Sequence, residues 1–336
     1  MGKFLLKRIF FGVIVLFGVV TITFLLTRVI PSDPAARWVG PRATRAQIAQ
    51  ARIELGLNRP IPVQYVRYVG DLLQGNLGRS LRSHQPVTTE LLTYLPATLE
   101  LVLLSTFFAV FVGIPLGVLS AKSKDKLLDH ICRFFSVGAV SLPTFWVGMF
   151  LQLLFYGGLG LLPLGSRVSF ETAIFYNIPN ITGFIVLDSL ITGNFAIAAD
   201  ALKHIILPGI TLALYPIGLV ARMTRSALLE ILGEDYIAAA RSYAVPERKV
   251  LWSYALKNSL GPTSTVLTLS IGYTLVNTFL VEAIFNWPGI GMYISTAVVT
   301  MDYPAIMGVT IFSTCAYVLL NLIADIIVAL DPRVRI

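Results

Sequence analysis

The chain has 336 residues, of which 56% are hydrophobic and only 13% are charged. Soluble domains carry about 25% charged residues, so this chain cannot cover a water-facing surface and must place most of its surface in lipid. Its net charge is +8, and because the basic residues flank apolar segments, the excess indicates membrane orientation rather than nucleic-acid binding.

Six apolar segments are long enough to cross a bilayer, which takes about 20 helical residues. Backbone polar groups in lipid must be paired within their own segment, so each is predicted to be a helix. The first is too long for the apolar part of a signal peptide and is predicted to be retained. The sequence therefore predicts an all-α integral membrane protein whose spans lie at about 9–30, 99–121, 134–159, 205–221, 262–285 and 303–330.

A further apolar segment, 181–202, contains Asp188 and Asp200. A carboxylate facing lipid at the centre of a span costs about 2.5–3.5 kcal/mol, which argues against a seventh crossing. The segment is predicted to be a short interfacial or re-entrant piece, and the sequence does not decide between the two.

Two large connections stand out, and they are predicted to lie on opposite sides of the membrane. Residues 31–98 contain many Pro and Gly turn signals around a helix-like stretch at 44–55, with Thr44 as its N-cap and Gly56 at its end. They are predicted to fold as a small extracytoplasmic cap. Residues 1–30 then form the N-terminus and first span, and 99–336 form a five-helix core that carries the second connection, 222–261.

Basic residues in the short connections fall mainly on the side of the membrane that holds the two termini and residues 222–261. Lys3, Lys7 and Arg8 precede the first span, and Lys122, Lys124 and Lys126 follow the second. Since Lys and Arg in short loops stay on the cytoplasmic side, both termini are predicted to be cytoplasmic.

Chemistry expected of an enzyme is missing from the sequence. There is no phosphate-binding loop of the Gly-x-x-x-x-Gly-Lys type, no His-Glu-x-x-His motif and no Gly-x-Ser-x-Gly motif. His84, His130 and His204 lie in separate segments and share no helix face for a metal. The chain is predicted not to be an enzyme and to hold no cofactor or metal.

Polar residues form a stripe on the fifth predicted span. Thr263, Ser270, Thr274 and Asn277 fall within an arc of about 60° at 100° per residue. Such a stripe either makes hydrogen bonds to other helices or faces a translocation path, and the sequence leaves both interpretations open. Charges inside spans are few, namely Glu100, Glu282 and Asp325, and each is predicted to make a structural contact or to bind a solute.

The connection 222–261 contains a predicted short helix around 234–244, opened by Glu234 and Asp235 and closed by Pro246. Small alanines in its middle allow close approach of another surface. Tyr236, Ile237 and Arg241 provide an aromatic, an aliphatic and a charged anchor for a groove in a partner. The alternative is an interfacial helix that lies on lipid headgroups.

This connection resembles the "EAA" loop of bacterial ABC importer permeases, in the form found on the B-type subunit of the dipeptide/oligopeptide/nickel family. The resemblance rests here on Glu234 to Ile237, Ala240-Arg241, Asn258 and Pro262. Ordered matches extend it over almost the whole chain. They include 31–34, 55–57, 75–80, 95–100, 141–146, 222–226, 282–285, 288–291, 302–304 and 331–333.

The resemblance implies a type I ABC importer permease fold in the bacterial or archaeal inner membrane, with a mechanism driven by other chains. The short helix would be a coupling helix seated in a separate ATPase subunit, with contacts from Glu234, Asp235, Tyr236, Ile237, Ala240 and Arg241. The implied partners are a homologous second permease, two ATPase subunits that bind ATP and Mg, an extracytoplasmic substrate-binding protein and membrane lipid, with no nucleic acid. The polar stripe would then line the path.

Di- or oligopeptides are the substrates that the resemblance implies, and nickel or oligosaccharides are the alternative within the same machinery. A self-sufficient secondary transporter is the competing class. Such proteins carry internal repeats and midplane carboxylates, which this sequence lacks.

One position departs from the family pattern. The family has a glycine a few residues after the Ala-Arg pair, and this chain has Ala244. Alanine resists the positive φ that glycine adopts cheaply. Either the loop turns differently, with Pro246 redirecting it, or the coupling between this loop and the ATPase subunit is adjusted.

Overall fold

The computed structural model describes residues 2–29, 33–40 and 42–330. The described residues form helices joined by turns, with one isolated bridge between Arg79 and Pro86. This confirms the predicted all-α class. The helices are α1 (Gly2–Val29), α2 (Pro34–Val39), α3 (Arg45–Glu54), α4 (Ile61–Leu73), α5 (Val87–Lys122), α6 (Leu127–Ser141), α7 (Thr144–Gly158), α8 (Phe170–Phe175), α9 (Ile185–Ile191), α10 (Phe195–Ile231), α11 (Asp235–Ser242), α12 (Glu247–Ile284), α13 (Ile290–Val299) and α14 (Tyr303–Leu330).

Five helices are each long and apolar enough to cross a membrane, namely α1, α5, α10, α12 and α14. They match the first, second, fourth, fifth and sixth predicted spans, although several begin earlier than the hydropathy indicated. Helix α5 starts at Val87, so residues 87–98, which the sequence assigned to the cap, are helical. α10 is the most enclosed of the five and packs against α5, α6, α7, α9 and α12.

The third predicted span is not one continuous helix. It consists of α6 and α7, which meet at an angle of 105°. The break follows from Pro143, which has no N–H to donate and which keeps Leu142 in an extended conformation. The predicted start also shifts, because α6 already begins at Leu127.

The bent pair nevertheless joins the two ends of the bundle, which we call the cap end and the α11 end after the segments they carry. At the α11 end, Asp129 of α6 contacts Arg225 near the end of α10. At the cap end, Gln152 of α7 donates a hydrogen bond to the carbonyl of Ile284, the last residue of α12. The pair therefore serves as the sixth crossing.

The segment 181–202 divides into a short helix and the beginning of a long one. Burial acts to raise the pKa of Asp188, but hydrogen bonds from the Thr182 hydroxyl and from the N–H groups of residues 181–183 bring that pKa below its usual value. Asp188 is buried in protein rather than exposed to lipid. Residues 195–202 continue into α10 and form no separate interfacial piece.

The cap packs on the first and last crossing helices. Helix α3 follows the predicted N-cap Thr44, whose side chain forms a capping box with Gln47, and it ends just before Gly56. The loop at Ser80 and Leu81 is held by Asp302, which accepts hydrogen bonds from the Ser80 hydroxyl and the Leu81 N–H. The motif 31–34 lies partly outside the described residues, and the motif 331–333 lies wholly outside them.

Candidate functional site

Helix α11 lies in the connection between α10 and α12, at the position of the predicted short helix. Glu234 precedes it in an extended conformation, Asp235 occupies its first turn, and Pro246 follows before α12 begins. An acidic first turn stabilises a helix through its dipole, and proline stops a helix from continuing. The sequence therefore specifies a short helix with two defined ends.

Ile237 points into the chain and is fully buried. It belongs to a group of apolar residues that we call the inner cluster, formed by Val118, Ala121, Leu228, Ile237, Val250, Leu251, Ala255 and Leu256. The predicted direct contact of Ile237 with a partner's groove is therefore corrected, because its side chain anchors α11 to α5, α10 and α12. Ala240 is half-buried and packs against the same cluster.

Most other side chains in and beside α11 are exposed. Tyr236 is 41% exposed and Tyr243, just past the end of the helix, is 85% exposed. Glu234, Asp235 and Arg241 are also exposed. Tyr243 was not among the predicted contacts, although its spacing of seven residues from Tyr236 places both on one helix face and could have identified it.

Two of these exposed side chains, Arg241 and Tyr236, make polar contacts with α12. Arg241 donates hydrogen bonds of 2.8 and 3.3 Å to the two carboxylate oxygens of Glu247, and this pairing raises the pKa of Arg241 above its ordinary value. The Asn258 amide donates a 2.9 Å hydrogen bond to the Tyr236 hydroxyl. Both contacts connect α11 to α12, so the Tyr236 and Arg241 side chains are held against α12.

Ala244 adopts a φ of +53°. The turn after α11 therefore keeps the left-handed conformation that the family's glycine would favour. Of the two alternatives, a different turn with Pro246 redirecting the loop is not the one observed, and Ala244 bears the conformational cost of the positive φ. Whether coupling is adjusted stays a prediction.

The polar stripe of the fifth predicted span lies on α12. Thr263, Ser270 and Thr274 are buried within the chain, and the Thr263 hydroxyl lies 3.4 Å from that of Thr224 on α10. Adding a partner subunit would not uncover side chains that are buried within this chain. This conformation therefore favours the helix–helix interpretation for Thr263, Ser270 and Thr274. Asn277 is half-buried and borders a space of about 720 Å³ between α12, α13 and α14. The transport role of the four residues stays a prediction.

The three acidic residues predicted inside spans, Glu100, Glu282 and Asp325, each have a partner within the chain. Arg167 donates a 2.5 Å hydrogen bond to Glu100, and Arg8 forms a 3.0 Å ion pair with Asp325. Glu282 is fully buried and accepts hydrogen bonds from the Thr98 hydroxyl and from the Met292 N–H. These contacts agree with the structural alternative of the prediction, and the Glu282 contacts hold α13 against α5 and α12.

At the cap end, a cavity of about 790 Å³ lies between α5 and the loop that precedes α9, with Arg167 and Pro288 among its lining residues. Within residues 2–29, 33–40 and 42–330, no group of three or more His, Cys, Asp or Glu side chains could hold a metal ion.

Comparison with known proteins gives matches along the whole chain. Residues 113–336 match the family described as binding-protein-dependent transport system inner membrane component, and residues 1–102 match the N-terminal family of the same membrane components.

Individual relatives cover nearly their full lengths. The chain is 43% identical to the "Probable D,D-dipeptide transport system permease protein DdpB" of Escherichia coli over 96% of the chain and 94% of the relative. It is 39% identical to the "Di/tripeptide transport system permease protein DppB" of Pseudomonas aeruginosa over 100% and 99%. It is 33% identical to the "Oligopeptide transport system permease protein AppB" of Bacillus subtilis over the full length of both.

These matches confirm the resemblance and the type I permease fold. The chain is a multi-pass inner-membrane protein and a transport permease subunit. It belongs to the family of binding-protein-dependent transport system inner membrane components.

Proposed function

We propose that this chain is one permease subunit of an ATP-driven importer that takes up di- or oligopeptides delivered by a binding protein. The full-length likeness to permeases named for dipeptide, di/tripeptide and oligopeptide transport supports this substrate class. A homologous second permease completes the path, and two ATPase subunits hold ATP and Mg. Both termini face the cytoplasm, as the basic residues of the short connections indicate.

The observation that carries the proposed mechanism is the arrangement of α11. Ile237 anchors the helix in the inner cluster, whereas Tyr236, Tyr243, Glu234 and Asp235 are exposed to the outside. A helix held in this way transmits a force applied to its exposed face, because its inner side chains cannot slide without opening a packed core. A groove in an ATPase subunit is the partner that this surface fits.

The test is uptake by the purified complex in proteoliposomes. The tagged chain is isolated from its native membrane with its co-purifying subunits and is reconstituted with the associated binding protein. We expect a radiolabelled dipeptide to accumulate only when both ATP and binding protein are present. Competition by unlabelled tripeptides, but not by nickel or oligosaccharides, is expected in the same assay.

Other results would contradict the proposal in distinct ways. Uptake of nickel or an oligosaccharide, but not of peptide, would replace the substrate class and keep the machinery. Uptake by the chain alone, without ATPase subunits, would indicate a secondary transporter.

A further inference from the structure

The α11 end of the bundle contains a buried ion pair that the sequence did not single out. Asp129, in the first turn of α6, is fully buried. Its carboxylate accepts hydrogen bonds of 2.8 and 2.7 Å from Nε and Nη2 of Arg225 on α10. It also accepts bonds from the Ser120 hydroxyl near the end of α5 and from the N–H of Asp125 in the intervening turn. One carboxylate thus joins three helix ends.

The same helices carry the residues that anchor α11. Ser120 lies between Val118 and Ala121, and Arg225 lies one turn before Leu228; these three apolar residues belong to the inner cluster around Ile237. The ion pair and the inner cluster are therefore adjacent parts of one packed region. A displacement of α11 reaches Arg225 within one turn of α10.

Helices α5 and α10 pack closely beside the ion pair, so we expect them to move together there. A Cβ atom at Gly117 would lie 2.6 Å from Cβ of Thr224 and 2.7 Å from the Ala221 carbonyl oxygen, so glycine allows the two backbones to touch. Helix α6 also approaches α10 closely farther along, where a Cβ atom at Gly218 would lie 2.5 Å from the Ser136 carbonyl oxygen, and it turns sharply away from α7 at Leu142 and Pro143. At the beginning of α6, Asp129 adds a polar contact to both other helices, through Ser120 of α5 and Arg225 of α10.

We propose that Asp129 and Arg225 are positioning residues for coupling, which make α6 follow the movement imposed on α11. The proposal rests on the proposed function. The bidentate geometry suits this role, because a guanidinium bound through two nitrogens fixes orientation as well as distance. Without the pair, α11 still docks on its partner, but part of its movement is lost before it reaches α6.

The test uses the reconstituted complex and measures peptide imported per ATP hydrolysed. Asp129→Asn removes the charge and keeps the shape, and Arg225→Lys keeps the charge and loses the two-point contact. Asp325→Asn is the matched control, because it breaks the ion pair with Arg8 on α1 and has no contact with the inner cluster among the described residues.

We expect the amount of peptide imported per ATP hydrolysed, the import ratio, to fall about tenfold in Asp129→Asn. A tenfold effect lies within the usual range of coupling between two sites. Arg225→Lys should lower the ratio less. ATP hydrolysis and the KM for the loaded binding protein should stay near wild type, a separation that general destabilisation would not produce. Asp325→Asn should keep the wild-type ratio.

A wild-type import ratio in an intact Asp129→Asn complex would overturn the inference, and so would an equal fall in Asp325→Asn. If Asp129→Asn fails to assemble, Arg225→Lys and Ser120→Ala provide the same comparison, and wild-type ratios in both would overturn it. Failure of the wild-type complex to import any peptide would instead contradict the proposed function.

Discussion

Ala244 shows how a single side chain can resist a conformation that the fold imposes. Its φ of +53° lies in the left-handed region, where a non-glycine residue pays about 1–2 kcal/mol. Ala244→Gly removes this cost but loosens the unfolded chain, so we expect a net gain of about 1 kcal/mol in stability. Thermal unfolding of the purified complex in detergent measures the change.

The matched control for Ala244→Gly is Ala239→Gly, an exposed position inside α11 with ordinary helical geometry. That substitution should destabilise by about 0.5–1 kcal/mol. We also expect peptide uptake by Ala244→Gly to equal wild type, because the turn keeps the same conformation. A sharp rise in ATPase coupling or complex yield would show instead that Ala244 weakens docking.

Position 291 needs glycine because the backbone of α13 lies close to the backbone of α12 there. A Cβ atom there would lie 2.5 Å from Cα and 2.8 Å from the nitrogen of Phe279, and backbone atoms cannot move aside as a flexible side chain can. Gly291→Ala should therefore push α13 away from α12 and disturb the bonds of Glu282. We expect a loss of about 1–3 kcal/mol or more, seen as a lower unfolding temperature or a lower yield of folded protein.

Gly18→Ala is the control for Gly291→Ala. Gly18 lies in α1 with open space where a Cβ would be built, so alanine there should be neutral or slightly stabilising. Equal losses in both variants would show that the close contact between α13 and α12 does not decide stability.

At the scale of the element, α11 provides the sharpest test of coupling. Arg241 pairs with Glu247, and both side chains are nearly half exposed, so the pair adds less than about 1 kcal/mol to stability. If Arg241 also contacts an ATPase subunit, Arg241→Ala should abolish ATP-driven peptide uptake while membrane insertion and binding-protein association stay normal. Uptake and insertion are measured in the same preparation.

Glu247→Gln separates the two roles of Arg241. It weakens the contact with Arg241 while leaving the arginine available to a partner, so most uptake should remain. Normal uptake in Arg241→Ala would remove this residue from the coupling surface, and an equal loss in Glu247→Gln would indicate that the pair acts only by shaping the loop.

Local signals in the sequence predicted several elements correctly, and contacts between distant segments explain where prediction failed. Thr44 and Gly56 bracket α3 as expected, since caps act through neighbouring residues. The break at Pro143 was missed because prolines are tolerated in many membrane helices, and neighbouring helices decide whether the chain bends. The inward direction of Ile237 was missed because the residues that receive it come from α5, α10 and α12.

The functional surface was predicted only in part for a related reason. Motif spacing located α11 and most of its exposed side chains, but hydropathy could not show that three polar residues of α12 are buried against other helices. Polar stripes look the same in sequence whether they face water or a neighbouring helix. Arg225 lies in the matched motif 222–226, but its pairing with Asp129 gave no signal, because the two residues are 96 positions apart and only the packing brings them together.

At the scale of the whole molecule, the proposed function requires an orientation in which the cap faces a binding protein and α11 faces ATPase subunits. We expect Asn58→Cys in the cap to react with a membrane-impermeant maleimide in spheroplasts, and Ser242→Cys on α11 to react only in inside-out vesicles, because short basic connections stay in the cytoplasm. Cys132→Ser and Cys315→Ser provide the cysteine-free background, which should not react in either preparation. The reverse pattern would place the cap in the cytoplasm and separate α11 from any source of ATP, so the proposed direction of coupling depends on this result.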